Sequence, residues 1–509
     1  MISDSILILG VLLDSFQGSR VARFWRNQQF LRRRYRITNE THVSLYGAEL
    51  EAQISDLAKH VDRALFASTS GSTGSPKRLL YTPKRLRTAK LSYIDVFARA
   101  CWSMGLERTS LYVFSSFTKD ETLTTLLLDD KRMPDYFTTL QAPYRVQSNP
   151  VIRDLASRYG ATAMRLWLLT IANPGVLYST NPSTIATFLD EVANDWKRSR
   201  HLIRDWCEKP ETFDRQVRAI AQRIDSRGSS QRLALVAQSD SSLPLAVYAP
   251  GVRAYMCWTG GYVKPFLDRL ETHLPPNRYR LIPMYSMSTE TIETVTCFRG
   301  SEVSFLPLAS GVVYEFLEEG AADKYQHLLG PEELEIGKNY SMIVSDAYGL
   351  RRYQTEDIFR CESKVSGLPN LSFLRRRGLE YSFTGEKLTA EQLNIVYQEL
   401  RKQYPNQFRN AFLTCFPCEP RTENLPHYRI LLVGQNEVCL KGLGQQCDEH
   451  ICELNAEYKS KRLTGRLGPV EFSTVTTAEF IKLTSNSKTN WDTQFKVLPL
   501  YREMIERTS

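Results

Sequence analysis

Ser68-Thr69-Ser70-Gly71-Ser72-Thr73-Gly74-Ser75-Pro76-Lys77 is the stretch on which the reading of this chain turns. Glycines at 71 and 74 leave backbone N–H groups open to an anion with no Cβ in the way. The hydroxyls of Thr69, Ser70, Ser72 and Thr73 can donate to phosphate oxygens, and Lys77 adds a positive charge. A Walker A loop needs G-x-x-x-x-G-K-[ST], which this is not. The run lies between the apolar Ala64 to Ala67 and Leu79-Leu80-Tyr81. That is the placement of a phosphate loop at the end of a hairpin; a plain Ser/Gly surface loop is the alternative.

Outward from this loop, composition sets the frame. A chain of 509 residues is too long for one core and suggests two or three domains. With 42% hydrophobic and 24% charged residues it is a globular protein. The net charge of +9 suits anionic ligands such as nucleotides but is mild for a nucleic-acid binder. Arg32-Arg33-Arg34-Tyr35-Arg36, preceded by Arg20, Arg23 and Arg26, reads as the solvated face of an N-terminal helix. Cys415-Phe-Pro-Cys418 has no second pair at zinc-ribbon spacing, so reduced, partly buried thiols are expected. No H-E-x-x-H occurs among the seven histidines, which removes metallohydrolase chemistry. The apolar segment Ile6 to Leu13 is too short for a bilayer and lacks a basic n-region. It reads as a packed helix in a cytoplasmic protein with no membrane partner and no nucleic-acid partner.

The chain shows no internal repeat and no low-complexity linker. Thr184 to Trp196 has helical apolar spacing with Ser183 placed to cap it. Arg232 to Tyr248 and Arg280 to Met284 read as buried strands. Near Leu374 to Arg377 the character changes. A strand at Tyr381 to Phe383, a helix over Ala390 to Tyr404, strands around Phe412 and over Tyr428 to Val433, a helix from Asp448 to Lys461 and a strand at Val470 to Ser473 follow. The expected fold class is α/β: a large N-terminal domain, 1–374, of mixed β-sheets and packed helices, plus a small α+β C-terminal lid, 375–509.

The 68–77 loop resembles the signature T-S-G-[ST]-T-G-x-P-K of adenylate-forming enzymes. Ser286-Met287-Ser288-Thr289-Glu290 is similar to their Y-x-[ST]-[ST]-E motif, and Tyr353-Gln354-Thr355-Glu356-Asp357 to Y-R-T-G-D, in the same order along the chain. Two departures stand out: the aromatic of the second motif is one place early, at Tyr285, and Glu356 replaces the glycine of the third. A non-glycine residue resists the positive φ that such a turn can require. Val312 to Glu318, Leu454 to Gly468 and Gln494 to Pro499 further resemble the Gretchen Hagen 3 acyl-acid amido synthetases.

That resemblance implies an N-terminal adenylate-forming domain with ATP and Mg²⁺ as cofactors and a carboxylic acid and an amine or amino acid as substrates. It implies that Thr69, Ser70, Gly71, Ser72, Thr73, Gly74 and Lys77 hold phosphates, and that Tyr285, Met287, Ser288 and Thr289 line the adenine site. Glu290 would hold the metal, Asp357 the ribose hydroxyls, and Arg376 at the hinge a ribose or phosphate oxygen, with Arg375 and Arg377 as rivals. From the lid, Lys496 would meet the α-phosphate, with Lys482 and Lys488 as rivals. Gly260-Gly261 resembles the glycine pair near the acyl pocket; a strand-to-helix turn explains it equally well. An acyl-CoA ligase and a catalytically degenerate scaffold remain the alternatives. Which acid is used has no linear signature.

Overall fold

Strands β1 (Leu65–Ser68) and β2 (Arg78–Tyr81) pair antiparallel, with Ser68 opposite Arg78, so the glycine-hydroxyl run does join two strands of a hairpin. The computed structural model describes residues 17–39, 41–68, 77–89, 111–115, 117, 123, 126, 149–260, 263–284, 288–299, 302–320, 327–376, 379–383, 386–408, 411–418, 425–434, 442–465, 467–484, 497–502 and 505. The expected helix at Ile6 to Leu13 lies outside them.

A parallel sheet runs through the N-terminal half in the order β3 (Leu111–Val113), β4 (Val176–Tyr178), β5 (Ala254–Trp258), β6 (Arg280–Met284). Its side chains alternate between two cores, as a sheet covered on both faces requires. Tyr112, Leu177, Tyr255 and Cys257 point into a core with the helices of residues 150–252, around Trp167, Phe188 and Tyr248. Val113, Val176, Tyr178, Met256 and Ile282 point into a second core shared with the strands that follow.

Two sequence readings are corrected here. Helix α1 (Pro182–Asn194) is capped by Asn181, whose side chain accepts from the Ser183 N–H at 2.9 Å, with Pro182 presetting the first turn. Ser183 lies buried inside that turn instead of capping it. Arg232 to Tyr248 is not strand: it forms the end of helix α2 (Ser229–Gln238) and a helical turn at Leu245–Tyr248. Leu233 and Val236 are buried while Leu235 is 53% exposed, a helical spacing that a short apolar run conceals. Helix α3 (Lys264–His273) follows β5.

Beyond β6, the hairpin β7 (Val295–Arg299) and β8 (Glu302–Leu306) leads to an antiparallel sheet of β9 (Val313–Glu318), β10 (Asn339–Ser345), β11 (Tyr353–Val365) and β12 (Leu368–Arg376). The N-terminal helix Gln17–Arg34 is bonded to this part: Gln28 Nε2 donates to the Val312 carbonyl at 3.0 Å. Buried Glu315 takes Arg32 at 3.1 Å and both donors of an Arg352 fork at 2.9 Å. Within the run 32–36, Arg33, Arg34 and Arg36 are the solvated members.

The C-terminal part opens with the two-residue strands β13 (Glu380–Tyr381) and β14 (Leu388–Thr389). Its main sheet pairs β15 (Phe412–Cys418) antiparallel to β16 (His427–Val433), which runs parallel to β17 (Glu471–Val475). Helix α4 (Ala390–Gln403) starts on a Thr389/Gln392 capping box. The single helix expected from Asp448 to Lys461 is two, α5 (Leu443–Leu454) and α6 (Ala456–Leu463). Asn455 breaks it and caps the second, its side chain accepting from the Tyr458 N–H at 2.9 Å. One face of the sheet packs Cys415 and Ile430 with these helices, while the other joins the first core through Phe412, Phe416 and Val433. Cys415 and Cys418 therefore point to opposite faces and share no ligand. None of the eight described cysteines is in a disulfide. No described helix is long and apolar enough to cross a membrane.

Candidate nucleotide site

Lys77 draws the three motifs together. From the start of β2 its Nζ donates to Tyr353 Oη at 2.9 Å and to Glu356 Oε2 at 3.1 Å, and lies 3.5 Å from Glu290 Oε1. Residues more than 200 positions apart thus meet around one ammonium group.

The third motif sits in a β-bulge. Ser341 pairs with Ile358 and Ile343 with Gln354, so Met342 alone faces Thr355, Glu356 and Asp357. Bulges of this kind bend a strand and re-aim its side chains. Here Thr355 Oγ1 donates to the Met342 carbonyl at 3.1 Å and accepts from the Asp357 N–H at 3.3 Å. Glu356 takes a left-handed φ of 67°. The glycine-like turn persists with a glutamate in it. Asp357 is buried, and the β11–β12 register sets Arg376 directly opposite it.

The second motif is held by its main chain. The Ser288 N–H donates to Glu293 Oε2 at 2.9 Å, Tyr81 Oη to the Thr289 carbonyl at 2.9 Å, and Arg85 Nη2 to the Glu290 carbonyl. Arg85 also donates to the Leu80 carbonyl at 2.6 Å, pairs with Asp346 at 3.5 Å, and lies over the Tyr81 ring at 4.4 Å. The β1–β2 hairpin and the Glu290 segment are thereby one bonded unit. Burial pushes the Tyr81 phenol up to about 12, which keeps it a donor.

Five carboxyl groups gather here: Glu290 and Glu356 pair with Lys77, Asp346 pairs with Arg85, and Asp357 acts on Glu293 through its charge. Glu293 is fully buried, and its acidity is pushed up to about 8, first by desolvation and then by the charges of Asp357 and Glu290. It is therefore a neutral acid at neutral pH. Sequence reasoning passed over Glu293, Tyr81, Arg85 and the pairing role of Glu356. The run Glu290-Thr-Ile-Glu293-Thr reads as a polar surface strand, and only its repeated burial marks it as interior.

Of the other residues singled out in the sequence, Thr69, Ser70, Gly71, Ser72, Thr73, Gly74, Tyr285, Met287, Arg377, Lys488 and Lys496 lie outside the described residues. Glu290 meets Lys77, while Ser288 bonds Glu293 and Thr289 bonds Tyr81 through their main chains. Lys482 lies in the helix Thr477–Thr484, where its charge acts on Glu479. Gly260 is a close-approach glycine: a Cβ there would stand 3.2 Å from both the Phe373 Cβ and the Trp258 Nε1. It follows the carboxyl end of β5, where ligands of parallel sheets bind.

A metal fits Glu290 in one way only. Among the described residues no three His, Cys, Asp or Glu side chains are grouped to hold an ion. One buried carboxylate beside a lysine ammonium would suit Mg²⁺, which takes the rest of its shell from ligand oxygens and water.

A parallel sheet, a glycine-hydroxyl hairpin, a bulged aspartate and a separate α+β C-terminal part together make the fold of the adenylate-forming enzymes. It superposes on the AtGH3.15 acyl acid amido synthetase in complex with 2,4-DB at a TM-score of 0.74 and 16% identity, over 98% of this chain and 94% of that one. A 2-hydroxyisobutyryl-CoA ligase in the postadenylation state is similar at a TM-score of 0.50 and 10% identity, over 98% and 89%.

Residues 305–376 match the GH3 family central domain and residues 391–504 the GH3 family C-terminal domain. It is 23% identical over 382 residues to indole-3-acetic acid-amido synthetase GH3.4 of Arabidopsis thaliana, covering 69% of this chain. The matched stretches span 32% and 61% of the length of the first curated relatives.

Proposed function

We propose that this protein is an ATP-dependent acid–amine ligase. It activates a carboxylic acid as acyl-AMP with release of pyrophosphate, then transfers the acyl group to an amine or amino acid. The observation that carries this reading is Lys77 bonded at once to the second and third motifs.

In adenylation the substrate carboxylate attacks the α-phosphorus of ATP in line with the leaving pyrophosphate, so the protein's work is positioning and neutralising charge. Thr69 to Gly74 present hydroxyls and N–H groups to the β- and γ-phosphates, with Lys77 at the loop's end. Tyr285, Met287, Ser288 and Thr289 form the adenine side, on a segment whose carbonyls Tyr81 and Arg85 already hold. Mg²⁺ held by Glu290 would neutralise phosphate charge. Asp357 accepts from the ribose hydroxyls, with Arg376 opposite it completing the ribose or phosphate contacts. Lys496 approaches the α-phosphate from the C-terminal unit, which we take as 375–509 moving against 1–374. The amine then attacks the acyl carbonyl and expels AMP. A free α-amino group, with a pKa near 7.7–8.0, is nucleophilic enough to need no dedicated base. Free thiols throughout the described chain suit a reducing cytoplasm.

The test is calorimetric titration of AMP and MgATP into the parent and an Asp357→Asn variant, with thermal melts alongside. Losing the charge and half of a bidentate acceptor should cost about 1.5–3 kcal/mol, roughly tenfold to a hundredfold in affinity for both nucleotides. Parent-like binding by a folded variant would remove Asp357 from the site and the nucleotide reading with it.

A further inference from the structure

A strained residue of the site also departs from its motif. Glu356 holds φ at 67°, in the left-handed region that glycine enters freely and a glutamate does not. A glycine would fill the bulge without that cost, so the side chain has to return something for it. The side chain binds Lys77: Glu356 Oε2 lies 3.1 Å from Nζ, which also bonds Tyr353 Oη at 2.9 Å and lies 3.5 Å from Glu290 Oε1. The Lys77 side chain is only 14% exposed, whereas that of Glu356 is 36% exposed at the rim. A lysine has four rotatable bonds and much rotamer freedom to lose on ordering. Among the described residues, two carboxylates and a phenol hold its ammonium just before β2. Strain kept at a functional site in this way points to a role.

We propose that Glu356 is a positioning residue for Lys77, accepting backbone strain so that the loop lysine is held ready for the β- and γ-phosphates of a nucleoside triphosphate. The inference rests on the nucleotide site proposed above. It predicts a selective effect, because a group that acts through Lys77 matters to the terminal phosphates and not to the ribose.

The experiment compares Glu356→Gly, Glu356→Gln and, as reference, Lys77→Ala in the full-length protein, with calorimetric Kd values for MgATP and for AMP. Glu356→Gly should melt within about 2 °C of the parent, since relief of the left-handed backbone offsets the added freedom of the unfolded chain. Its Kd for MgATP should rise about tenfold while that for AMP stays within about twofold, the pattern also expected of Lys77→Ala. Glu356→Gln keeps the reach without the charge and should show the same selectivity at smaller size. Unchanged or tighter MgATP binding by Glu356→Gly, or equal weakening of both nucleotides, overturns the proposal. If Lys77→Ala still binds MgATP selectively worse, the nucleotide site stands without this refinement. A parent protein that binds neither nucleotide removes the site and the inference together.

Discussion

Glu293 shows how much of this site is decided by burial. A carboxyl group with no exposed surface, beside two other carboxylates, is held as the neutral acid by the cost of desolvating its charge. Its pKa lies above the ordinary 4.5, at about 8, so between these values the folded chain keeps a proton that the unfolded chain has lost. The stabilising contribution is complete below the unfolded value and fades as pH rises toward the folded one. Glu293→Gln cannot ionise and keeps an oxygen able to accept from the Ser288 N–H. Its melting temperature relative to the parent should therefore climb by about 2 °C or more between about pH 5 and about pH 8.5. An offset that stays constant across that range would mean that Glu293 is already ionised in the folded protein.

At the scale of elements, the hairpin β1–β2 and the 288–290 segment act as one piece because β2 and the residues after it supply the donors. Tyr81→Phe deletes only the bond to the Thr289 carbonyl, a loss of about 0.5–1.5 kcal/mol. We expect a modest drop in melting temperature and a severalfold rise in KM for ATP, with KM for the acid unchanged; steady-state kinetics in both substrates would show an equal rise if the contact were merely structural. The hairpin itself was legible in the sequence, since a glycine-hydroxyl run between two short apolar stretches has few other forms. So were the C-terminal strands and α4, whose boundaries carry strong capping signals. The misreadings share one cause. Leu233, Leu235 and Val236 make an apolar run too short to declare its period, and Asn455 inside a helical pattern could not be told from an ordinary polar position. The ring of groups around Lys77 was legible as three separate motifs. Their convergence was not, because it depends on a bulge opposite Met342 and on carbonyl contacts that any residue at 289 or 290 would offer.

At the scale of the whole molecule, the parallel sheet divides the N-terminal part into two cores, and the proposed nucleotide site lies on the side shared with the antiparallel sheet. The C-terminal sheet does not hang free. Phe412 of β15 meets Phe266 of α3 at 4.6 Å between ring centroids, and Arg269 lies over the same ring at 4.6 Å. Any rotation of this part would have to break that apolar contact. The central claim is that the chain makes acyl-adenylates, and its most direct test is acid-dependent exchange of labelled pyrophosphate into ATP across a panel of aryl, indole and fatty acids. The account predicts label in ATP with at least one acid, with Mg²⁺ required and the signal lost in Lys77→Ala. A folded protein that binds MgATP yet incorporates no label with any acid, at any Mg²⁺ concentration, would contradict it and leave a nucleotide-binding protein that has lost the chemistry of its fold.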